Sequence, residues 1–414
     1  MLKKYIREHR NDSIELLAEL IRNESMDLHE CKAQDVVYRL MKELGLELDK
    51  FNTDADHLKH LDDYCPNENE FHADAYNLIG YTPYVEGYKS LMIFAHIDTE
   101  VDDEINYHID DEKIYGLGAS DDKGGIATML LALKYYKEYY GALPYNVAIM
   151  SVLGKRGGVG GTLIACDRLK YKYDAAIYLH PAETGLGLNE IKNISLGVID
   201  FNLSVSGVLP KPHYDLDAGI SANHKMILLA NQLVDLSIDR LKRYGNKDEY
   251  GTKLNIGEIK GGFYIGSVAS SANFKFRLHF GKGETIDMVE KEVITALDKA
   301  VDKYPTYFKD STYQLNRGVY RASFAMMEQN HEIIQTLENN IKDVCKINNF
   351  IYQAHGASDI RLPMILKDIP TVGIGSLCFL PTVEKKSSEW LSIDEYLNGI
   401  EVIACTIKDW IIKK

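Results

Sequence analysis

The sequence lacks the features of several protein classes. It has no apolar run near the roughly 20 residues that span a bilayer. Its start, MLKKYIREHRNDSIELL, interrupts apolar residues with charges, which is typical of an amphipathic helix rather than a signal peptide. Its 47 basic residues are outnumbered by 61 acidic ones, and the resulting net charge of −14 argues against nucleic acid or a membrane as a partner.

Cysteine is also too scattered to define a class of site. None of the six cysteines forms a CxxC or similar cluster, so neither a disulfide framework nor a cysteine metal site is predicted. We expect small buried thiols and a cytoplasmic location. A length of 414 residues, 45% of them hydrophobic and 26% charged, is typical of a globular protein with two domains.

Half of a metal-binding site follows the apolar run Ser90–Ile97, which predicts a buried strand. His96 and Asp98 stand two apart at its end, so they point to the same side of an extended backbone. The glycine-rich loop GLGASDDKGG follows and supplies Asp121, which offers two carboxylate oxygens. We interpret His96 and Asp121 as metal ligands and Asp98 as the group that orients His96; the alternative for His96 is a hydrogen-bonded core histidine.

Apolar runs and helical patterns alternate along most of the chain. This alternation predicts an α/β fold with a mostly parallel sheet and helices on both faces. Candidate site residues follow successive strands, and we expect them to meet at the carboxyl edge of the sheet. The predicted strands are Ser90–Ile97, Asn146–Leu153, Ala175–Leu179 and Thr371–Gly375, and the predicted helices are Ile126–Tyr140, His331–Val344 and Ile393–Lys413.

The pattern changes to alternating strands from about Leu196. GVIDFNLSVSG, KLNIGEIKGG and ASSANFKFRLHF predict three strands, and two helical stretches, Ala222–Leu236 and Thr285–Tyr304, lie between or after them. A further strand near Tyr313 to Gly318 closes the segment. We predict an inserted α+β domain.

The two motifs together resemble the metallopeptidase family of aminoacylase, carboxypeptidase G, acetylornithine deacetylase and succinyl-diaminopimelate desuccinylase. YLHPAE, the segment GVLPKPHYDLDAGISAN, FRL, GASD and SEW match further landmarks in the family's order. The resemblance implies a zinc-exopeptidase-like α/β domain in residues 1–195 and 320–414. It also implies an inserted lid and dimerisation domain in residues 196–319, and hence a homodimer.

The resemblance implies that a first metal ion is held by a histidine, a bridging aspartate and a later carboxylate. These positions carry His96, Asp121 and His180. Histidine still ligates zinc, and two histidines with one carboxylate also suit a non-haem iron centre. Glu183 is a nearby substitute. We therefore expect zinc at one site, or no cofactor.

Positively charged side chains stand at the positions that the resemblance assigns to the second half of the metal centre. In Gly154-Lys155-Arg156-Gly157-Gly158, Lys155 stands at the general-base glutamate and Arg156 at a ligand glutamate, while Lys385 stands at a ligand histidine. Arginine has no lone pair to give. Lys155 could act as a base only if burial and neighbouring cations lowered its pKa. We predict that these cations replace the second metal ion; the alternative is a solvated basic loop.

Three further residues match substrate-side positions of the family. His213 matches a histidine that stabilises the oxyanion, and Arg277 matches an arginine that holds a substrate carboxylate. Asn255 lies where substrate-facing loops occur. The alternatives are a surface histidine, an arginine in a salt bridge and an ordinary polar strand residue.

Three hypotheses follow. The first is a homologue of metal-dependent peptidases and N-acyl-amino-acid amidohydrolases that has lost the di-zinc centre and ordinary hydrolysis but keeps a crevice for an amino-acid-like or peptide-like ligand. The second is an active peptidase or deacylase with a single remodelled metal site. The third is a structural or regulatory subunit.

Overall fold

The computed structural model describes residues 2–26, 31–53, 55–61, 63–65, 75–102, 104–154, 160–180, 185–210, 219–379 and 388–414. Four site residues predicted from the sequence, Lys155, Arg156, His213 and Lys385, lie outside these ranges, as does Glu183. The described chain divides into two compact units. The first comprises Met1–Asn193, Met326–Gln353 and Asp359–Lys414, and the second comprises Ile194–Ala325 and Ala354–Ser358.

The described α-helices are divided between the two units, and most of them belong to the first. The α-helices are α1 (Leu2–Glu8), α2 (Arg10–Arg22), α3 (Cys31–Leu44), α4 (Ala55–Leu58), α5 (Lys123–Tyr140), α6 (Gly160–Arg168), α7 (Ala222–Tyr244), α8 (Ile286–Lys303), α9 (Pro305–Phe308), α10 (Glu332–Cys345), α11 (Arg361–Lys367) and α12 (Ile393–Trp410). Among the described helices, none combines the length and the apolar character needed to cross a bilayer.

The strands form three sheets. They are β1 (Glu47–Phe51), β2 (Asn77–Tyr81), β3 (Leu91–His96), β4 (His108–Ile109), β5 (Lys113–Tyr115), β6 (Val147–Val152), β7 (Ala175–Leu179), β8 (Glu190–Ser195), β9 (Gly197–Ser206), β10 (Leu254–Gly261), β11 (Ser271–Phe280), β12 (Tyr313–Ala322), β13 (Ala325–Met326), β14 (Ile351–His355), β15 (Thr371–Ile374), β16 (Cys378–Phe379) and β17 (Trp390–Ser392).

The main sheet of the first unit runs in the order β1-β2-β6-β3-β7-β15-β8. Its four central strands β6, β3, β7 and β15 are parallel, which confirms the predicted α/β fold class. Strand β3 is buried along its whole length because helices cover both faces of such a sheet. A fully buried Ile or Phe in this strand contributes about 1.5–3 kcal/mol.

The register of the parallel strands sets the position of the site. His96 pairs with Val152 across β3 and β6, and Phe94 pairs with Tyr178 across β3 and β7. Strands that run in the same direction end at the same edge, so the residue after β7, His180, lies at the edge where β3 ends.

A glycine lets α5 begin against this edge. A Cβ atom at Gly125 would lie 2.2 Å from the carbonyl oxygen of Leu179 and 2.5 Å from Oδ1 of Asp122. No side chain fits at that distance, so glycine is required where the helix approaches the end of β7. The loop that carries Asp121 is thereby held beside the strand ends.

The second unit is a four-stranded antiparallel sheet in the order β10-β11-β9-β12 with α7 and α8 packed against it. Its own apolar core is built from the alternating inward residues of these strands, such as Phe201, Phe274 and Phe276. The hydroxyl of Ser221 accepts a hydrogen bond from Asn223 N at the start of α7, and Thr285 caps α8 in the same way.

Candidate metal centre

Three side chains that are distant in sequence meet at the carboxyl edge of the main sheet. Oδ1 of Asp121 lies 2.8 Å from Nε2 of His96 and 3.4 Å from Nε2 of His180. One ligand atom from each residue lies within 4.8 Å of the others, and all three side chains are buried. The structure thus brings together the three residues that the sequence analysis assigned to a single metal ion.

The orientation of His96 suits metal binding. Its Nδ1 atom lies 3.0 Å from the backbone carbonyl oxygen of Asp98 and 3.3 Å from Oδ1 of the same residue. Both atoms are acceptors to which an Nδ1–H group can donate, and Nε2, which faces Asp121, is then the nitrogen that can give a lone pair to a cation bound between the two residues. Asp98 therefore lies where an orienting group was predicted, behind His96.

Glu389 holds the loop that presents Asp121. Its Oε2 atom accepts hydrogen bonds from the Ser120 hydroxyl at 3.1 Å and from the backbone N–H groups of Ser120 and Asp121 at 3.3 Å. On the other side of the loop, Oδ2 of Asp122 accepts a bond from His96 N at 3.4 Å. These contacts tie the loop to β3 and to the segment before β17.

Two buried lysines lie next to these carboxylates. Nζ of Lys123 donates to the carbonyl oxygen of Asn23 at 2.9 Å. Burial lowers the pKa of Lys123 to about 7, although the carboxylates of Glu389 and Glu24 oppose the shift. The second lysine, Lys192 on β8, lies with its Nζ 3.2 Å from Nδ1 of His180.

The candidate site is rich in buried carboxylates. Five of them belong to a ligand residue, to residues that contact the ligand residues, or to Glu190, whose Oε1 lies 3.9 Å from Nζ of Lys192. Buried carboxylates are costly unless a cation or hydrogen-bond donors neutralise them. The carboxylates are those of Asp98, Asp121, Asp122, Glu190 and Glu389.

The donor set fits a divalent cation held by His96, Asp121 and His180. Two imidazole nitrogens and one carboxylate oxygen suit zinc or iron(II). An ion bound there would polarise a carbonyl oxygen or lower the pKa of a bound water.

The predicted substrate residues Asn255 and Arg277 lie in the second unit, on neighbouring strands. Asn255 pairs with Arg277 across β10 and β11, and Arg277 pairs with Asp200 across β11 and β9. The guanidinium donates to both carboxylate oxygens of Asp200, at 2.7 and 2.9 Å, and lies 4.6 Å from the ring centre of Tyr320. A substrate carboxylate at this position would compete with Asp200, so the predicted binding role of Arg277 stays a prediction.

The sequence analysis did not identify two buried charged residues that lie near the candidate ligand His180. Glu190 and Lys192 are buried polar residues within a strand that had not been predicted as part of the main sheet. The signal that could have found them is two charged residues, two positions apart, shortly after the YLHPAE segment. From the sequence alone such a pair predicts an exposed strand face, and only the tertiary structure shows that it is buried.

Comparisons with known proteins show the family of this chain. The family model described as peptidase family M20/M25/M40 matches residues 92–409. The chain therefore belongs to this family, and the resemblance predicted from the motifs is confirmed. Loss of the metal centre stays a prediction.

Individual relatives match over most of their length. N-formyl-4-amino-5-aminomethyl-2-methylpyrimidine deformylase of Bacillus subtilis is 26% identical over 358 residues, which is 81% of this chain and 78% of the relative. The fold matches the crystal structure of a tripeptidase from Staphylococcus aureus with a TM-score of 0.74 at 17% identity, covering 97% of this chain and 98% of that one.

A dinuclear metal-binding peptidase of the M20 family from Bacillus subtilis has the same fold, with a TM-score of 0.66 at 12% identity. The match covers 98% of this chain and 99% of that one. At this level of identity the likeness shows the fold alone.

Proposed function

We propose that this member of family M20/M25/M40 binds an amino-acid-like or peptide-like ligand without carrying out two-metal amide hydrolysis. The observation that carries the proposal is the chemistry of three positions. Lys155, Arg156 and Lys385 stand where the family resemblance implies a general base and two ligands of a second metal ion.

Cations at these positions oppose the second metal ion in two ways. A guanidinium has no lone pair, and an ammonium must first lose its proton before it can ligate a metal or accept a proton from water. At the positions that the resemblance implies, both groups would also supply positive charge to the carboxylates of the site and form charge-assisted hydrogen bonds in place of the ion. The first metal position, His96, Asp121 and His180, keeps its donor atoms.

The proposed ligand class follows from the relatives. A tripeptidase and a deformylase are among the proteins that this chain resembles, and their names point to substrates with an amide bond. We propose that Arg277 holds a ligand carboxylate, in exchange for Asp200, and that His213 and Asn255 contact the ligand. Replacing Asp200 with Asn should strengthen binding of N-acyl amino acids, because it frees the guanidinium from a competing carboxylate.

The decisive experiment measures whether a variant gains a second metal ion. The triple variant Lys155→Glu, Arg156→Glu, Lys385→His should raise the zinc content from at most one to two equivalents per chain, measured by elemental analysis after dialysis. Wild-type protein that retains two zinc ions and cleaves dipeptides or N-acyl amino acids at rates usual for a metallopeptidase would overturn the proposal.

A charge-matched control distinguishes an effect at the metal site from an effect of the changed net charge. Lys4→Glu, Arg22→Glu and Lys242→His make the same changes at exposed positions. This control should leave the zinc content of the wild type unchanged. If it gained zinc as the triple variant does, non-specific binding to added carboxylates would be the explanation.

A second candidate function is an active hydrolase with a single metal ion. It is favoured by the buried triad of His96, Asp121 and His180, whose atoms lie close enough to share one ion. One equivalent of metal in purified protein, together with hydrolysis that His96→Ala abolishes, would support it over the first proposal.

We also propose that two copies associate through the second unit. Four apolar residues of α7 form an exposed stripe at helical spacing, each between 45 and 57% exposed: Ile227, Val234, Ile238 and Leu241. Spacings of seven, four and three residues place these side chains on one face, as in helix pairs. A second copy would cover the stripe.

The oligomeric state tests this association. Ile238→Lys should convert a dimer to a monomer in sedimentation equilibrium, whereas Val101→Lys, at an exposed apolar position of the first unit, should not. A monomeric wild type at micromolar concentration would contradict the association and leave the proposed ligand binding standing.

A further inference from the structure

We infer that Glu395 is a positioning residue for the candidate metal site. Its carboxylate holds the segment that follows His180, and its backbone and side chain together hold the segment to which the backbone of His180 is bonded. Glu395 thus acts on the site through the main chain of other residues. The inference rests on the part of the proposed function that keeps His180 as a ligand of a single metal ion.

Glu395 lies in the first turn of α12, where the sequence pattern predicts a different use of its side chain. Ser392 and Glu395 form the S-x-x-E pattern of a capping box, in which the glutamate accepts a hydrogen bond from the backbone N–H of the serine. The Ser392 hydroxyl does cap the helix, since it accepts from Glu395 N at 3.4 Å. The N–H of Ser392, however, donates to the carbonyl oxygen of Leu377 at 3.0 Å. The carboxylate of Glu395 can therefore bind another part of the chain.

The carboxylate binds the segment that follows His180. Oε2 of Glu395 accepts a hydrogen bond from Leu188 N at 2.9 Å. Gly187 permits this approach, because its φ is +65° and a Cβ atom there would lie 2.5 Å from Oε2. Burial raises the pKa of Glu395, and hydrogen bonds from the backbone N–H groups of Leu188 and Leu377 oppose that shift. The carboxylate thus faces two segments that are distant in sequence.

The second of these segments is bonded to His180 itself. His180 N donates to the carbonyl oxygen of Ile374, at the end of β15, at 3.0 Å. Two residues further on, the Ser376 hydroxyl donates to the backbone carbonyl oxygen of Glu395 at 3.1 Å. His180, Leu188, Ile374 and Ser376 line one small cavity. A shift of either segment would therefore move main chain that packs around a candidate metal ligand.

Replacement of Glu395 tests the inference. Methionine has about the length of glutamate but no strong acceptor, so Glu395→Met should weaken Zn²⁺ binding about 10-fold in competition with a chromophoric chelator, the lower end of the loss for groups behind a ligand. Glu395→Gln keeps an oxygen that can accept from Leu188 N and should lose less. Zn²⁺ affinity in Glu395→Met equal to that of the wild type would overturn the inference.

The matched control is the neighbouring residue Asp394. Asp394→Asn removes a negative charge from the same helical turn, but this side chain is 84% exposed and pairs with Arg7. The variant should bind Zn²⁺ as the wild type does. A loss as large as that of Glu395→Met would assign the effect to charge at the start of α12 and overturn the inference.

Gly187→Ala disturbs the same contact from the other side. The added methyl group would push Leu188 N away from the carboxylate, so this variant should also weaken Zn²⁺ binding. Gly185→Ala is its control, because Gly185 has a similar φ of +77° and nothing within 4 Å of an added Cβ atom. Since both changes break one contact, Gly187→Ala should add little in a Glu395→Met background. Additive losses would overturn the inference.

Amide hydrogen exchange tests the contact in the wild-type chain without metal and without relying on the folding of a variant. The N–H of Leu188 should be protected in the wild type and exchange faster in Glu395→Met; an unprotected N–H in the wild type would overturn the inference. A wild type that binds no Zn²⁺ would overturn the ligand role of His180 and this inference with it. Two bound zinc ions with ordinary hydrolysis would overturn only the proposed function, and the comparison of variants would still decide the role of Glu395.

Discussion

Nε2 of His96 lies 2.8 Å from Oδ1 of Asp121, although the two residues are 25 positions apart in the sequence. The contact joins the end of a buried strand to a glycine-rich loop, and it is shorter than the 3.4 Å between Asp121 and His180. These two side chains would therefore both contact a cation bound in this site.

Asp121→Asn should remove divalent metal binding. The amide keeps the size of the carboxylate but has no negative charge, so Zn²⁺ affinity should fall by more than the roughly 10–100-fold that follows loss of a partner behind a ligand. Chelator competition would measure the change. Asp110→Asn, an exposed aspartate that caps a turn, should bind Zn²⁺ as the wild type does. Equal affinities in the two variants would show that the triad is not the metal site.

Glu389→Gln should loosen the Asp121 loop. One of its oxygens accepts from the Ser120 hydroxyl and from two backbone N–H groups, and bonds to a charged acceptor contribute about 1.5–3 kcal/mol. We expect the free energy of unfolding in urea to fall by about 1–3 kcal/mol. Ser120→Ala removes only one donor and should cost less. A Glu389→Gln protein as stable as the wild type would contradict this assignment.

Arg361→Met should destabilise the first unit strongly. Nε of Arg361 donates to Oδ1 of Asp63 at 2.7 Å, and the side chain, which is 1% exposed, also lies near Asp359. Loss of the cation removes the charged partner of a buried carboxylate, and such changes cost about 3–5 kcal/mol. Urea unfolding would measure the loss.

The matched control for this network is a surface arginine with similar geometry. Arg168 donates to both oxygens of Asp49, yet its side chain is 44% exposed. Arg168→Met should cost about 0–1 kcal/mol because water screens the pair. Similar losses of stability in Arg361→Met and Arg168→Met would contradict the expectation that burial makes the Arg361 contacts more important.

His331 should make stability depend on pH. Its Nδ1 atom caps α10 by accepting a bond from Ile333 N at 3.3 Å. Burial lowers the pKa of His331 below its usual 6.5, Lys89 adds to this, and Glu332 opposes it. The unfolded chain therefore binds the proton at a higher pH than the folded one, so the free energy of unfolding falls as the pH drops below about 6.5. Above that pH the group has no effect.

The variant His331→Asn distinguishes the helix-capping role of this side chain from the effect of its protonation. Asparagine retains a capping oxygen but does not titrate, so the variant should lose less stability than the wild type between pH 7 and pH 5 in urea unfolding. His108→Asn, at an exposed histidine, serves as the control and should follow the wild type. Parallel curves for wild type and His331→Asn would rule out this origin of the pH dependence.

Much of the first unit could be predicted because its signals are local. The apolar run from Ser90 to Ile97 forms β3, and the run from Ala175 to Leu179 forms β7 with the predicted bounds. Parallel strands end at one edge, which is why the meeting of His96 with His180 followed from strand order.

The contacts behind these residues could not be predicted in the same way. Lys192 faces His180 because β15 lies between β7 and β8 in the sheet, an order that no local pattern encodes. The pairing of Arg277 with Asp200 likewise depends on the register of β11 against β9. Register follows from how two faces pack, so residues far apart in sequence acquire their partners only then.

The sequence by itself determined the fold class and the family, since periodicity, glycine placement and the order of the motifs are properties of residue order and residue type. The assignment of Lys155, Arg156 and Lys385 to the second metal position stays a prediction. The tertiary structure decided which nitrogen of each histidine faces a donor or an acceptor. That choice depends on distances of about 3 Å between groups on different strands, and only the packing of the sheet sets such distances.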